Sequence, residues 1–260
     1  MNFVEPKVFL VGETQVVEEG LQAYLQHVGA PEWETDAPSG AERLTEVYGR
    51  LCYRSFKPGL NPNVSRVREG NAPYLGHILE VGHGSVLEHA VVNFVFADVS
   101  RVFTHELVRH RAGTAVSQES LRFVRLDALS AYVPLHIQEN EEGMALFAKT
   151  LEQLEEAQRQ LAEIYGVADE KQFSVKKKLT SAFRRVAPIG LATTLGWSAN
   201  LRALRHVIEM RTAPEAEEEI RVVFHKVYEL VKERYPNVFA DYEAEEVDGF
   251  PWVRTKNRKV

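Results

Sequence analysis

The alternation of apolar and polar residues along the chain predicts an α+β protein with several long helices. In most segments apolar positions recur at intervals of three and four, which is the pattern of an amphipathic helix. The predicted helices are 13–28, 41–54, 71–81, 101–112, 143–165, 172–186, 199–211 and 214–234. Residues 90–99 are β-branched and aromatic, as is typical of a buried strand. A second strand is indicated at 120–126, and 191–197 fits either a strand or a helix.

Stretches rich in proline and glycine separate these elements. Residues 30–40 and 56–66 are predicted to be loops for this reason. The end of the chain is basic, and 247–260 is expected to form a flexible tail. No internal repeat or linker divides the sequence, so a single domain spanning 1–260 is predicted.

Composition excludes several classes of protein. The hydrophobic share of 45% and the charged share of 26% are ordinary for a globular protein. A net charge of −6 argues against bulk binding of nucleic acid. No apolar stretch is long enough to span a membrane, and the N-terminus lacks the pattern of a secretory signal. Cys52 is the only cysteine, which rules out an intrachain disulfide and suits a cytoplasmic location.

The stretch 104–122, THELVRHRAGTAVSQESLR, is the densest in chemically active side chains. It resembles the zinc-binding HExxH pattern, but His105 and His110 are five residues apart instead of four. On a helix this spacing turns the two rings roughly 140° from each other, so one ion cannot easily bind both. A metal-dependent hydrolase is therefore disfavoured, and no metal site is predicted.

The same helical geometry groups a different set of side chains. Glu106, Arg109 and His110 lie at i, i+3 and i+4 and therefore share a face. Arginines held by a glutamate can present forked donors to a phosphate or to a planar heterocycle. The alternative is a solvated helix whose charges form only surface ion pairs. The serines, Gln118 and Arg122 that follow favour a binding site over that alternative.

Four segments, in order, resemble the flavin-dependent thymidylate synthases. Arg109-His110-Arg111 followed by Ser120-Leu121-Arg122 resembles the family's RHR…SxR signature. The other matching segments are VGHGSVLEH at 81–89, RRVAP at 184–188 and NLRALRHVIEMR at 200–211. The resemblance runs from about Arg50 to the end of the 214–234 helix. It departs from the family pattern once, because the RHR…SxR spacer has eight residues instead of seven, and the extra residue is placed in a turn at Gly113.

The resemblance implies a fold, a reaction and an assembly. The fold would be one catalytic domain with a central, mostly antiparallel sheet and long helices. The reaction would be the reductive methylation of dUMP to dTMP. Its cofactor would be FAD, with NADPH and the folate 5,10-methylenetetrahydrofolate as co-substrates. The family's sites are shared between the subunits of a homotetramer, so Arg184 would act on a neighbour's nucleotide.

The resemblance also assigns residues to roles. The residues that would bind FAD are His83, Ser85, Arg109, His110, Arg111, Gln118, Asn200, Arg202 and His206. Those that would bind dUMP are Glu106, Arg109, Gln118, Glu119, Ser120, Leu121, Arg122, Arg184 and Arg211. The catalytic residue would be Arg211, whose cation would favour the N3-deprotonated pyrimidine and so raise the nucleophilicity of its C5.

Each assignment has a structural alternative. Arg202, Arg205 and Arg211 could form a solvated face paired with Glu209 and Glu217. The histidines of 81–89 could be ordinary helix-end residues, and His206 a surface histidine. Cys52 is expected to be a small buried residue and not a nucleophile. A protein that keeps the fold and binds nucleotide without catalysis is the remaining functional alternative.

Overall fold

The computed structural model describes residues 2–121 and 129–260. The strands are β1 (Asn2–Phe3), β2 (Lys7–Glu13), β3 (Val91–Ser100), β4 (Thr114–Gln118), β5 (Ser130–Ala131), β6 (Ala192–Asn200), β7 (Tyr242–Val247) and β8 (Phe250–Thr255). The helices are α1 (Glu18–Val28), α2 (Gly40–Tyr53), α3 (Asn71–Glu80), α4 (Arg101–Leu107), α5 (Leu135–Gln138), α6 (Glu141–Ile164), α7 (Phe173–Phe183), α8 (Leu201–Thr212) and α9 (Glu218–Arg234). Two short 3₁₀ helices span Gly84–Glu88 and Arg184–Val186.

An antiparallel sheet of four strands, in the order β2-β3-β6-β4, forms the centre of the fold. Side chains alternate along β3, so Phe94 and Phe96 point into the core and meet Trp197 of β6. Helices α8 and α9 cover this face, and Phe224 of α9 packs on the same aromatic cluster. The predicted α+β architecture with a mostly antiparallel sheet is confirmed.

Most of the predicted helices are present, but several boundaries were wrong. Residues 7–13 form a strand that was missed, and the helix predicted from residue 13 begins at Glu18. Helix α4 ends at Leu107, five residues before the predicted end. The helix predicted from residue 214 begins at Glu218, because the Glu217 side chain accepts the backbone N–H groups of Glu219 and Ile220 as its N-cap.

Of the two segments for which the sequence left a strand uncertain, the structure decides one. Residues 192–197 belong to strand β6, which pairs with both β3 and β4. A strand supplies backbone donors and acceptors on both edges, which a helix at this position would not. The strand predicted at 120–126 falls mostly outside the described residues, as does Arg122.

Most of the segment 247–260, expected to be a flexible tail, lies in regular structure. Strands β7 and β8 form a hairpin whose turn residues, Asp248 and Gly249, have φ values of 55° and 76°. An Asp-Gly pair is the typical sequence of a turn with two positive φ angles, and this signal had been overlooked. The segment stays ordered because it has a place in the core, where Val253 and Val260 are buried.

The 30–40 segment is a loop, as predicted, but its polar side chains hold other elements in place. Asp36 accepts the backbone N–H of Asn71 at the start of α3, at 2.6 Å. Ser39 caps α2 by accepting the N–H of Glu42. Within the two described ranges, no helix is long and apolar enough to cross a membrane.

Candidate active site

Strand pairing brings the two chemically active segments together. Helix α8 begins directly after Asn200, at the end of β6. Strand β4 pairs antiparallel with β6, and Thr114 lies opposite Ala199. The turn that precedes β4, residues 108–113, therefore lies beside the N-terminus of α8. This turn contains Arg109, His110 and Arg111, which the sequence had placed on a helix.

Gly113 fixes the shape of this turn. Its φ is +69°, a conformation that favours glycine. Its carbonyl accepts the N–H of Asn200 at 2.9 Å, and a Cβ on Gly113 would lie 2.4 Å from the Asn200 side-chain nitrogen. The Thr114 hydroxyl donates to the His110 carbonyl at 2.7 Å, which fixes the other end of the turn. The placement of the chain's extra residue in this turn stays a prediction.

Arg211, on the last turn of α8, is held from three directions. Its Nη1 donates to the Glu106 carboxylate at 2.7 Å, and its Nη2 to the Glu106 backbone carbonyl at 2.9 Å. Its Nε donates to Nε2 of His110 at 2.7 Å. Glu106 and His110 therefore converge as the helical spacing predicted, although α4 has ended by then. A guanidinium has five N–H donors, so two are left without a partner among the described residues and can serve a ligand.

His110 is uncharged in this environment. Burial lowers the pKa of its imidazole to about 4, and the nearby Arg211 cation and His206 act in the same direction. The His206 ring lies 6.2 Å from the His110 ring, centroid to centroid, and meets it edge to face. At neutral pH the positive charge of the contact between these two side chains is therefore on Arg211 and not on His110.

A cavity of about 790 Å³ opens between the turn and α8. Of the residues predicted to bind FAD, it is lined by Arg109, His110, Arg111, Asn200, Arg202 and His206. Its size falls within the usual range for a bound cofactor. Within the described ranges, neither Arg109 nor Arg111 forms an ion pair. Both guanidinium groups are therefore available to an anionic ligand.

Sequence reasoning missed five further residues that line this cavity, namely Glu88, Ala112, Gly113, Ala203 and Val207. Glu88 pairs with Arg202 at 2.5 Å and so directs that guanidinium. Gly84 makes room for it, because a Cβ there would lie 2.6 Å from the Arg202 Nε. The position of Glu88 in the 81–89 segment was a usable signal. Ala203 and Val207 could be predicted from helical spacing, because Ala203 lies three residues before His206 and four before Val207.

Three of the predicted FAD residues lie outside this cavity. His83 contacts the Tyr53 hydroxyl, whose oxygen lies 2.9 Å from the His83 Nε2. Ser85 is exposed on the 3₁₀ helix Gly84–Glu88. Gln118 donates to the Thr104 hydroxyl at 3.3 Å and lines a shallow depression with Glu119 on the open face of the sheet.

The predicted dUMP residues are dispersed within one chain. Glu106 and Arg211 form the cluster described above, and Arg109 lines the large cavity. Leu121 and Arg184 line a different cavity, of about 480 Å³, together with Arg101, His105 and Arg185. Helical spacing could have found Arg101 and His105, which lie at i and i+4 on α4. Ser120 is half-buried and follows β4 by two residues, whereas Arg122 lies outside the described residues.

This second cavity is cationic. Burial lowers the pKa of Arg101, and the Arg184 cation lowers it further. Among the described residues, the Arg101 Nε has no hydrogen-bond partner although it is inaccessible to solvent. Arginines crowded in this way favour an anion between them.

The geometry bears on two alternatives that the sequence left open, a metal site at His105 and His110 and a solvated face of arginines. His105 and His110 line different cavities, so they do not face one position. The solvated face is wrong for Arg205, which is fully buried, and for Arg211, whose side chain is 14% exposed. Their acidic partners are Asp241 and Glu106, and not the Glu209 and Glu217 of that alternative. Cys52 is exposed, which corrects the expectation that it is buried.

Comparison with known proteins decides the family. The family model described as "Thymidylate synthase complementing protein" matches residues 35–237. The flavin-dependent thymidylate synthase of Corynebacterium efficiens is 36% identical over 82% of this chain and 84% of its own length. That of Mycobacterium sp. strain JLS is 40% identical over 81% and 83%. The chain belongs to the flavin-dependent thymidylate synthases.

A solved structure shows the same fold at low sequence identity. It is the UMP/dUMP methylase PolB from Streptomyces cacaoi, bound with 5-Br dUMP. The TM-score is 0.63 and the sequence identity 15%, over 92% of this chain and 96% of that one. The likeness in fold therefore covers 92% of this chain.

Proposed function

We propose that this flavin-dependent thymidylate synthase converts dUMP to dTMP, with FAD, NADPH and 5,10-methylenetetrahydrofolate. The observation that carries the proposal is the Arg211 guanidinium, which Glu106 and His110 hold beside a cavity lined with further arginines. The names of its relatives and the 5-Br dUMP bound to its structural neighbour support the same reaction. The lone Cys52 supports a cytoplasmic location, because it suits a reducing compartment.

The donors of the large cavity fit FAD. The guanidinium groups of Arg109, Arg111 and Arg202 suit a pyrophosphate, and Asn200 and His206 add N–H donors for the rest of the cofactor. When bound and reduced, the flavin supplies the hydride. His83, Ser85 and Gln118 are proposed to contact FAD as well, from elements that border this cavity or from a neighbouring subunit.

Arg211 is proposed to activate the pyrimidine. Its two unused N–H donors would bind the base, and its charge would stabilise the N3-deprotonated form and so raise the nucleophilicity of C5. Glu106 and His110 position the guanidinium before substrate arrives, so little reorganisation is needed during the reaction. Ser120 is proposed to bind the base, and Gln118, Glu119, Leu121 and Arg122 to surround the nucleotide.

We further propose that subunits of a homotetramer share each site. The support is that Arg184 lines the second cavity, whose lining does not include Arg211, although both arginines are assigned to dUMP. Mixing two inactive variants, Arg184→Ala and Arg211→Ala, should restore part of the activity, because some sites in the hybrid would receive both native arginines. No recovery after subunit exchange, monitored by native mass spectrometry with one variant isotopically labelled, would contradict the shared site.

The central test uses purified protein loaded with FAD. Flavin absorbance that NADPH bleaches, and dTMP formed from dUMP and methylenetetrahydrofolate, are the expected results. Protein that cannot bind FAD would refute the proposal. Protein that binds FAD and dUMP without forming dTMP would instead indicate the non-catalytic nucleotide-binding alternative.

A further inference from the structure

The contact between Arg211 and His110 fixes the position of a proton. The Arg211 Nε lies 2.7 Å from Nε2 of His110, which is a short hydrogen bond. A guanidinium stays protonated in proteins and its nitrogens only donate. Nε2 of His110 must therefore accept, which requires a lone pair on that nitrogen. A protonated imidazolium has none, since both of its ring nitrogens donate.

We propose that Arg211 fixes His110 as the neutral tautomer with its proton on Nδ1, which makes His110 a permanent N–H donor in the wall of the large cavity. The proposal concerns a positioning residue and deepens the proposed function, on which its catalytic meaning rests. In this state His110 does not exchange a proton during the reaction. It holds Arg211 from one side while Glu106 holds it from the other.

The cationic groups around His110 oppose a positive charge on its ring. Arg211 and His206, both on α8, oppose a positive charge on the ring. The Glu106 carboxylate on α4 could favour one, but it is engaged by Arg211 at 2.7 Å. Arg109 and Arg111, which flank His110 in the turn, add positive charge to the same cavity. Burial acts in the same direction, and among the described residues no carboxylate forms a hydrogen bond with His110.

The backbone keeps His110 in this position. Its N–H donates to the Leu107 carbonyl at 3.1 Å, and its own carbonyl accepts the Thr114 hydroxyl at 2.7 Å. Because both peptide groups are engaged by neighbours in the turn, the side chain projects from a fixed point. The donor on Nδ1 is therefore as well positioned as the guanidinium it supports, and it suits a carbonyl or anionic acceptor on a bound cofactor.

The tautomer can be read directly, without cofactor or substrate. ¹⁵N-histidine labelling of the full-length protein should show, for the resonance lost in His110→Asn, a protonated Nδ1 and an unprotonated Nε2. That pattern should persist from pH 8 down to pH 5 or below. In Arg211→Ala the ring should titrate nearer the ordinary histidine value of about 6.5. A protonated Nε2 in the native protein, or titration between pH 5 and 8, would overturn the proposal.

Two substitutions at position 110 provide a second, binding readout. His110→Gln keeps one acceptor for Arg211 and one N–H donor, so its dissociation constant for FAD should stay within about threefold of native. His110→Phe keeps the ring's approximate size but neither polar group, and should bind FAD at least tenfold more weakly. Equal affinity in the two folded variants would contradict the donor role. Loss of dTMP synthesis alone bears on the proposed function and not on the tautomer.

Discussion

Arg205 and Arg211 show how position alone separates a structural from a functional arginine. Both lie on α8, six residues apart. Arg205 is fully buried and binds both carboxylate oxygens of Asp241 at 2.9 Å. Arg211 binds Glu106 and His110 at the cavity edge and keeps two donors unused. The first is inaccessible to solvent and uses four of its five donors within the protein, so only the second can act on a ligand.

Replacing Arg211 tests this distinction. Arg211→Ala should lower kcat by roughly 10²–10³-fold, the usual cost of removing one preorganised electrostatic donor. FAD should remain bound, because Arg109, Arg111 and Arg202 still line the cavity. Steady-state kinetics with flavin absorbance measured on the same sample would check both expectations.

The matched control is Arg258→Ala. Arg258 also pairs with a glutamate of α8, Glu209, but its side chain is 67% exposed, so its loss should leave kcat unchanged. Turnover that survives in Arg211→Ala would contradict the role of Arg211. Cys52→Ala should also keep full activity, and an inactive enzyme would revive a cysteine nucleophile.

At the scale of elements, the site depends on one turn and on the strand that follows it. The turn 108–113 reaches the start of α8 only because β4 pairs with β6. Gly113 holds this arrangement through its left-handed backbone and its close approach to Asn200. The same Asn200 caps α8 by accepting the N–H of Ala203 at 2.8 Å. One contact therefore links the shape of the cavity to the stability of a helix.

Gly113→Ala should damage this arrangement. A Cβ there would lie 2.4 Å from Asn200, on a backbone that already disfavours a side chain. We expect a loss of roughly 1–3 kcal/mol in the free energy of unfolding and weaker FAD binding. Gly166→Ala is the control, because its φ of +59° carries the same backbone strain with open space around it. Denaturant titration and FAD titration that gave equal effects at the two glycines would exclude the Asn200 contact as the cause.

The β7–β8 hairpin is tied to α8 by a buried ion pair. Asp241 holds Arg205, which also donates to the carbonyls of Val238 and Val260. Burial alone would raise the pKa of Asp241, but the Arg205 guanidinium lowers it below its usual value. The pair is therefore charged, and its two partners depend on each other.

Removing one partner should cost far more than an ion pair on the surface. Asp241→Asn leaves Arg205 buried without a counter-charge and should lower the free energy of unfolding by about 3–5 kcal/mol. Glu245→Gln, which breaks the exposed pair with Arg254 on the same hairpin, should change it by less than about 1 kcal/mol. Urea unfolding followed by circular dichroism measures both. Similar losses in the two variants would show that the hairpin is not held by the buried pair.

At the scale of the whole molecule, buried carboxyl groups join segments that are distant in sequence. Glu42 of α2 accepts the backbone N–H groups of Asn237 and Val238 at 2.8 and 3.0 Å. Glu219 of α9 accepts the N–H and hydroxyl of Ser100, which caps α4. Burial raises the pKa of each carboxyl to about 7. Their ionisation is therefore coupled to the stability of the whole fold.

The sign of this coupling is opposite to that of a salt-bridged acid. Each carboxyl binds its proton more tightly when folded, so its contribution to stability is greatest below pH 4.5 and is lost as the pH rises to about 7. Glu219→Gln and Glu42→Gln should flatten the decline in Tm between pH 4.5 and 7, measured by calorimetry. Glu156→Gln, on the surface of α6, should leave the profile unchanged. Parallel profiles in all variants would refute the coupling.

The sequence alone predicted much of this, for identifiable reasons. Helical spacing predicted that Glu106 and His110 lie close together, but His110 lies in the turn after α4. The two side chains instead meet at Arg211, which the resemblance to the family identifies. Periodicity located α2, α3 and β3 to within about a residue, because each has a continuous buried face. It missed β2 because that strand is short and half exposed, so its burial pattern carries little signal.

The sequence by itself determined the family, the α+β class and most of the polar groups that line the large cavity. These follow from residue identity and local spacing, both of which can be read directly from the sequence. Only the tertiary structure decided which arginine is buried, where α4 ends, and that Val253 and Val260 belong to the core. It also decided the proton on His110, because a tautomer is set by the partner that approaches the ring. Such partners are distant in sequence, and only strand pairing and helix packing bring them together.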